Sequence, residues 1–272
     1  MRIAILGAGT IARLFLEHIG KGDLGRGIEV AALCGRSLAS PGAGLAREYG
    51  VPFVVGAEAL AALRPDVVIE AASHDAVREH LVNLLSARIA VVVLSGGALV
   101  DDALREKAEN AAAKSGALMY VPSGGIGSLD ALKAACIAGV DEVTIQVAKP
   151  PAAWKKIPFV EALGADLDSL SAALVLFEGT AREGVPHFPQ NVNIAAVLSM
   201  AGIGFDRTRL RIVADPSLTY NTHTIQVRGA SGQFSIVLEN VPAPDNPKTA
   251  WLACYSALAA LKQMNTSVRY GT

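Results

Sequence analysis

The chain has 272 residues, of which 51% are hydrophobic and 5% aromatic, and its formal net charge is -1. This length allows two modest domains or one large one, and the aliphatic composition is typical of an α/β protein. The small net charge gives no electrostatic basis for binding nucleic acid or an anionic membrane, and no apolar run is long enough to span a membrane. Cys34, Cys136 and Cys254 lie far apart without disulfide or metal-ligand spacing. We therefore expect no metal site and a cytoplasmic location.

The first predicted elements are a short buried strand, a glycine turn and an amphipathic helix, rather than a signal peptide. The turn carries a G-x-G-x-x-A pattern at residues 7–12. In such a pattern Gly7 permits the tight turn and Gly9 lets the backbone approach a diphosphate. The N–H groups at the start of the helix, here at Thr10 and Ile11, would bind that anion. The pattern predicts dinucleotide binding, and the alternative is an ordinary strand–helix turn.

Apolar strands alternate with helices through the rest of the first half. Strands are predicted at residues 28–34, 52–55, 66–72, 90–94 and 117–121, and helices at residues 42–49, 57–63, 75–85 and 101–114. This alternation indicates a Rossmann-type, doubly wound parallel sheet, with strands buried on both faces. We therefore predict a dinucleotide-binding domain over residues 1–121.

Three loops at strand ends are candidate cofactor contacts. NAD-specific sites usually carry Asp or Glu after the second strand, about 20 residues past the glycines, but this chain has Arg36 and Ser37 there. Arginine can hold the 2′-phosphate of NADP, although a solvated loop arginine is the alternative. Ser73 is predicted to contact the dinucleotide or to cap the next helix. Residues 95–97 are small enough for a flat ring to approach. The cofactor is expected to be NAD or NADP.

From Asp141 onward the pattern changes to alternation of apolar and polar residues. The alternating segments lie around residues 143–147, 209–212, 224–228 and 234–239. Alternation marks a sheet with one buried face, so we predict an α+β domain over residues 122–245 with an open, mostly antiparallel sheet. Asn246-Pro247 is predicted to begin a long C-terminal helix. In this interpretation residues 246–272 return to the first domain; the alternative is that the helix stays with the sheet.

Several stretches of the second half resemble the L-aspartate dehydrogenase family. They are residues 122–132, 149–151, 177–181, 188–195, 214–216, 221–223 and 240–249. With the N-terminal glycine turn they span almost the whole chain in the order of the family, which is more specific than any single motif. The resemblance implies oxidation of the amine of L-aspartate by NAD(P) to iminoaspartate, which hydrolyses to oxaloacetate and ammonia or feeds NAD biosynthesis. It also implies a homodimer.

The resemblance assigns roles to individual residues. His223 matches the active-site histidine of the family. Gly125 and the pair Asn191 and Asn193 match dinucleotide contacts, and which asparagine is primary stays open. Many relatives have alanine at the position of Gly125, a departure that we expect to be harmless.

His223 has more than one interpretation. It begins an alternating strand on the face of Ile225 and Val227, which also fits an ordinary core histidine. As an active-site residue, a neutral imidazole suits removal of a proton from the substrate ammonium. It could instead orient a carboxylate or activate the water that hydrolyses the imine. No nucleophile–base motif is evident, which leaves hydride transfer to the cofactor.

A buried dicarboxylate substrate needs cationic partners. The candidates in or beside the motifs are Lys149, Arg182, His187 and Lys248, each of which has a solvated charge as its alternative. Two other functions fit the layout. One is a reductase of the dihydrodipicolinate reductase type, whose histidine-and-lysine cluster is not found here. The other is a non-catalytic dinucleotide-sensing protein, which should tolerate loss of His223.

Overall fold

The computed structural model describes residues 1–189, 192–243 and 246–270, with the backbone alone at residues 246–249. The chain divides into two compact units. The first unit contains residues 1–122 and 256–270, and the second contains residues 123–255. Each unit is built on a β-sheet of its own. No helix in the described ranges has both the length and the apolar character needed to cross a membrane.

The first unit is a doubly wound parallel sheet. Its strands are β1 (Arg2–Leu6), β2 (Glu29–Gly35), β3 (Phe53–Val55), β4 (Val67–Glu70), β5 (Ala90–Val93) and β6 (Met119–Tyr120). Its helices are α1 (Thr10–Lys21), α2 (Pro41–Glu48), α3 (Ala57–Ala62), α4 (His74–Ser86) and α5 (Asp102–Ser115), with a 3₁₀ helix at Gly96–Val100. The strand order is β3-β2-β1-β4-β5-β6, and all neighbours pair in parallel. The predicted fold class is confirmed, and the order reverses beside β1, where ligands bind in such sheets.

Apolar side chains explain why this sheet forms. Ile3 and Ile5 of β1 and Ile69 of β4 are fully buried, as expected of strands covered on both faces. α10 (Trp251–Met264) ends in this unit. Just beyond it, the side-chain amide of Asn265 donates to the carbonyl of Arg26 at 3.2 Å.

The second unit has a five-stranded mixed sheet. Its strands are β7 (Val140–Lys149), β8 (Leu174–Thr180), β9 (Thr208–Ala214), β10 (Asn221–Gly229) and β11 (Gly232–Asn240), and a hairpin is formed by β12 (Pro242–Ala243) and β13 (Asn246–Ala250). Its helices are α6 (Leu129–Ala138), α7 (Pro158–Ala162), α8 (Ala181–Gly184) and α9 (Asn193–Ala201), with 3₁₀ helices at Pro151–Trp154 and Val185–His187. The order is β11-β10-β7-β9-β8, and every pair is antiparallel except β7 with β9. The predicted open, mostly antiparallel sheet is confirmed.

The two faces of this sheet differ in polarity. Val143, Ile145 and Val147 of β7 are buried on one face, where α6 contacts β10 and α9 contacts β9. On the other face, polar residues that include Gln146 and Arg211 line an open cavity of about 460 Å³. His223 pairs opposite Val147 and therefore lies on the buried face, away from that cavity.

The segment after residue 245 differs from the prediction. The helix expected from Asn246 begins instead at Trp251, and Asn246–Ala250 form a strand in which Ala250 lies opposite Pro242. The backbone N–H of Trp251 also donates to the carbonyl of Val241 at 2.8 Å. Pairing with β12 satisfies backbone groups that a helix start would leave without partners, so the hairpin with this neighbouring strand outweighs the proline signal. The unit boundary expected at residue 245 falls after residue 255.

Candidate active site

The turn after β1 has the geometry that a dinucleotide requires. Gly7 has a φ of 112°, and a Cβ atom there would lie 2.5 Å from the carbonyl oxygen of Ala71, so only glycine fits. Gly9 is exposed, and a Cβ atom there would have no neighbour within 4 Å. The backbone at Gly9 therefore faces open space in which a phosphate can approach.

The start of α1 is left open for an anion. Gly9 is the N-cap, it provides no side-chain cap, and the first turn holds no acidic residue. The first N–H groups of a helix have no partner within the helix, and the helix dipole makes this end positive. Thr10 and Ile11 lie at this end. These residues fit a bound diphosphate.

Two of the loops predicted to contact the cofactor are placed as follows. Arg36 and Ser37 follow β2 and are exposed. The carbonyl oxygen of Ser37 accepts hydrogen bonds from the backbone N–H of Ser40 at 3.1 Å and from its hydroxyl at 2.7 Å, which shapes the loop. Ser73 caps α4, because its hydroxyl oxygen accepts from the N–H of Ala76 at 3.2 Å. The cap interpretation of Ser73 therefore applies, and its hydroxyl is engaged in the helix start.

A buried carboxylate, which the sequence analysis did not single out, ends β4. Glu70 is 2% exposed. Its oxygens accept hydrogen bonds from the N–H groups of Ala72 at 2.9 Å and Ser73 at 3.1 Å. They also accept from the N–H of Ser95 at 2.9 Å and its hydroxyl at 3.0 Å. Glu70 thus joins the loops that follow β4 and β5.

Two influences compete at Glu70. Burial raises the pKa of its carboxyl group, and the four donated hydrogen bonds lower it. All four contacts are donors to the oxygens, which is the pattern that an ionised carboxylate needs. The sequence signal was an acidic residue at the end of the otherwise apolar run 67–69, next to two alanines.

The second unit contains a cluster of buried polar residues at one end of its sheet. Lys149, Asn221, His223 and Asn240 are between 0% and 5% exposed. Asn221 and His223 lie two residues apart on β10, and Asn221 pairs opposite Asn240 of β11. Lys149 ends the neighbouring strand β7, two residues beyond Val147, the partner of His223. Buried polar side chains are costly unless they form hydrogen bonds, so the partners of each side chain decide whether it is structural or can bind a ligand.

The contacts of His223 fix which ring nitrogen carries the proton. Nδ1 lies 2.9 Å from the carbonyl oxygen of Gly125. A carbonyl oxygen can only accept, so Nδ1 carries the proton and donates it. The side-chain Nδ2 of Asn240 donates to the same oxygen at 3.0 Å and lies 3.2 Å from Nδ1. In the neutral ring, the lone pair is therefore on Nε2.

The Nε2 atom of His223 is buried and has no hydrogen-bond partner among the described residues. The pKa of His223 is lowered to about 4, chiefly by burial and also by the charge of Lys149, while the Gly125 carbonyl acts in the opposite direction. The ring is consequently neutral at pH 7, and Nε2 can accept a hydrogen bond or a proton but cannot donate one.

Lys149 places a positive charge in the same cluster. Its side chain is 2% exposed, and Nζ lies 5.2 Å from the centre of the Trp154 ring, a cation–π distance. Trp154 is held by a hydrogen bond from Nε1 to the carbonyl of Val213 at 3.0 Å. Among the predicted residues, the structure thus brings together Lys149, His223 and Gly125.

Gly125 has little room for a side chain. A Cβ atom there would lie 2.9 Å from Cβ of Ala250 and 3.4 Å from Cε1 of His223. An alanine at this position would therefore require Ala250 to move. That the glycine of this chain is a harmless departure from the family stays a prediction.

The other predicted substrate cations have different surroundings. Arg182 binds Asp206 through two hydrogen bonds, of 2.5 and 2.9 Å. His187 is exposed, and its ring stacks on Phe159 with 4.3 Å between ring centres.

Three further predicted residues lie at or beyond the limits of the description. Asn193 is the first residue of α9. Asn191 lies outside the described residues, as does the side chain of Lys248, whose backbone belongs to β13. Within the described ranges, no three His, Cys, Asp or Glu side chains are grouped as metal ligands.

Comparisons with known proteins agree with this geometry. Residues 7–122 match a family model described as homoserine dehydrogenase, NAD binding domain, and residues 130–264 match one described as aspartate dehydrogenase, C-terminal. An L-aspartate dehydrogenase of Methanosarcina mazei is 41% identical over the full length of both chains. L-aspartate dehydrogenase 2 of Bordetella pertussis is 42% identical over 96% of each.

Solved structures of dehydrogenases are also similar to this chain. The aspartate dehydrogenase of Thermotoga maritima is 28% identical, with a TM-score of 0.74 over 100% of this chain and 99% of that chain. The WlbA dehydrogenase of Bordetella pertussis, at 14% identity and a TM-score of 0.51, covers 96% of this chain and 94% of its own, and shares the fold. The resemblance and the prediction of an NAD- or NADP-dependent dehydrogenase are confirmed. The chain belongs to the L-aspartate dehydrogenase family.

Proposed function

We propose that the chain oxidises the amine of L-aspartate to iminoaspartate with NAD or NADP, and that His223 is the general base. The observation that carries this proposal is the buried Nε2 atom of His223, which has a lone pair and no partner among the described residues. A substrate ammonium group is a donor and would satisfy it. When bound, the nicotinamide accepts a hydride from the substrate Cα.

The position of the proton on the ring distinguishes between the roles that the sequence leaves open for His223. A neutral ring with its proton on Nδ1 cannot donate from Nε2, so it does not suit binding of a carboxylate. Removing a proton from the ammonium leaves a nitrogen lone pair, which drives departure of the hydride from Cα. After the imidazolium has released that proton to solvent, the Nε2 lone pair is restored and can accept a proton from the water that attacks the imine. The base role therefore fits both steps.

Substrate binding would adjust the basicity of His223. A pKa of about 4 makes the resting imidazole a weak base. The two carboxylates of aspartate bring negative charge near Lys149 and His223, and negative charge favours the protonated ring. We propose that Lys149 binds one carboxylate, because it is the predicted cation that is buried in this cluster. His187 and Lys248 remain weaker candidates.

For the cofactor, we propose that residues 1–121 bind the dinucleotide. Gly7, Gly9, Thr10 and Ile11 would hold the diphosphate at the start of α1. Arg36 and Ser37 would hold the 2′-phosphate of NADP, which gives dual use of NAD and NADP. Gly125, Asn191 and Asn193 would add contacts, as the family resemblance implies, and Ser73 would add one from its loop at the end of a strand.

The remaining proposals concern the whole protein. The domain over residues 122–245 would carry catalysis and dimerisation, and residues 246–272 would include the C-terminal helix, which begins at Trp251. We propose a cytoplasmic homodimer, on the family resemblance and on the three cysteines, which are free thiols.

The test is an assay of the purified chain with NAD or NADP and a panel of amino acids, which follows reduced nicotinamide by absorbance. We expect L-aspartate to be oxidised and L-alanine and L-glutamate to react far more slowly, with oxaloacetate and ammonia as products. Dinucleotide binding without oxidation of any amino acid would instead support a non-catalytic sensing protein.

A further inference from the structure

Asn240 has a place in the cluster that packing alone does not explain. It is 5% exposed and ends β11, the edge strand of the second sheet. In the alternation of β11 it is in phase with Ile236 and Leu238, which point to the apolar side. An apolar residue would be expected at such a position, because burying an amide is costly unless it forms hydrogen bonds.

The hydrogen bond of Asn240 goes to the oxygen that also accepts from His223. The carbonyl oxygen of Gly125 receives Nδ2–H of Asn240 at 3.0 Å and Nδ1–H of His223 at 2.9 Å. Both lone pairs of this carbonyl are therefore used, one by each side chain. Asn240 fixes the direction of the acceptor on which the tautomer of His223 depends.

The alternative tautomer is unfavourable while this arrangement persists. If the proton moved to Nε2, the lone pair of Nδ1 would face the Gly125 oxygen at 2.9 Å, and two acceptors would repel. Nδ2 of Asn240, 3.2 Å from Nδ1, could offset this only by weakening its own 3.0 Å hydrogen bond to that oxygen. If the Gly125 carbonyl turned away, that penalty would vanish. Gly125 lies in a loop without a helix or strand assignment, so the peptide needs an anchor from outside the loop.

We propose that Asn240 is a positioning residue, which anchors the Gly125 carbonyl and thereby keeps the proton of His223 on Nδ1 and the lone pair on Nε2. The inference rests on the proposed function for its effect on catalysis. Its effect on the tautomer does not depend on that function, and can be measured in the resting protein.

The experiment compares two variants with a control on the same strand. Asn240→Leu removes the donor at similar volume, and Asn240→Asp replaces it with a carboxylate beside Nδ1. Val237→Ala is the control, because Val237 is 59% exposed and lies on the same strand. The ¹⁵N resonances of His223, assigned by comparison with His223→Asn, report which ring nitrogen is protonated.

The two variants should act differently. We expect Asn240→Leu to produce a mixture of tautomers and to lower kcat by about tenfold, the effect of one hydrogen bond. In Asn240→Asp, the carboxylate should accept the Nδ1 proton, stabilise the charged ring and move the acid limb of kcat/KM to higher pH. Melting temperature and dinucleotide affinity should match those of Val237→Ala.

The measurements distinguish a failure of the proposed function from a failure of the positioning role. If the wild type does not oxidise aspartate but Asn240→Leu still mixes the tautomers, the proposed function fails and the positioning role stands. If Asn240→Leu keeps the wild-type tautomer, the positioning role is wrong, whatever the acid limb of Asn240→Asp does. Should Asn240→Leu not fold, Asn240→Ala, which also removes the donor, decides through its ¹⁵N spectrum.

Discussion

The two units each bury an ionisable side chain at the end of a strand, and they treat it in opposite ways. Glu70 of the first unit receives four hydrogen bonds, and both of its oxygens accept from donors. His223 of the second unit is held at Nδ1 alone, and Nε2 has no partner among the described residues. A side chain whose polar atoms all have hydrogen-bond partners stabilises the loops around it, whereas a side chain with an unused lone pair can act on a ligand. Burial by itself therefore does not identify a reactive residue.

The largest expected effect comes from His223→Asn. The amide of asparagine can still donate to the Gly125 carbonyl but offers no basic nitrogen. We expect kcat to fall by roughly 10²–10⁴, the usual range for loss of a general base, with melting temperature and dinucleotide affinity nearly unchanged. His80→Asn, in the first unit, serves as the control. A folded His223→Asn enzyme with wild-type kcat would show that His223 is a core residue.

Replacing Lys149 tests the charge beside His223. In Lys149→Met the KM for aspartate should rise by roughly ten- to a hundredfold, as expected for a hydrogen bond to a charged group. The cation lowers the pKa of His223. Its removal should therefore raise that pKa and shift the acid limb of kcat/KM to higher pH. Lys155→Met is the matched control, because Lys155 forms an exposed ion pair with Asp168. An unchanged KM would exclude Lys149 as the carboxylate partner.

Glu70→Gln tests how much the hydrogen bonds to the buried carboxylate of Glu70 contribute to stability. An amide nitrogen in place of one oxygen would face the donors of Ser95 or of residues 72 and 73, so at least one donor would lose its acceptor. We expect a loss of about 1–3 kcal/mol in unfolding free energy, and weaker dinucleotide binding, without a change in the KM for aspartate. The exposed Glu58→Gln is the control. A variant as stable as the wild type would show that the four hydrogen bonds contribute little.

The smallest effect is expected at Arg36. Because Arg36 is exposed, solvent and salt screen its charge. Arg36→Ala should therefore weaken the binding of NADP by about three- to tenfold and change the binding of NAD little. Arg47→Ala, also exposed in the first unit, is the control. Equal loss of kcat/KM for the two cofactors would mean that Arg36 does not contact a 2′-phosphate.

Sequence reasoning succeeded where one local pattern determines the outcome. The turn at Gly7 and Gly9 follows from adjacent residues, and the face of His223 follows from the alternation of β10. It failed where the outcome depends on contacts between distant segments. The donors to Glu70 come from two loops, and Asn240 meets Gly125 across 115 positions of sequence. The strand at Asn246–Ala250 was missed for a different reason: it pairs with β12 in a local hairpin, and the Asn246-Pro247 signal for a helix start was misleading.

The central claim is that His223 is a neutral base with its lone pair on Nε2, and an ¹⁵N NMR titration of the resting protein tests it most directly. We expect Nδ1 to be protonated and Nε2 unprotonated at pH 7. The ring should gain its second proton only near the lowered pKa of about 4. A titration near the ordinary value of about 6.5, or a proton found on Nε2 at pH 7, would contradict the account.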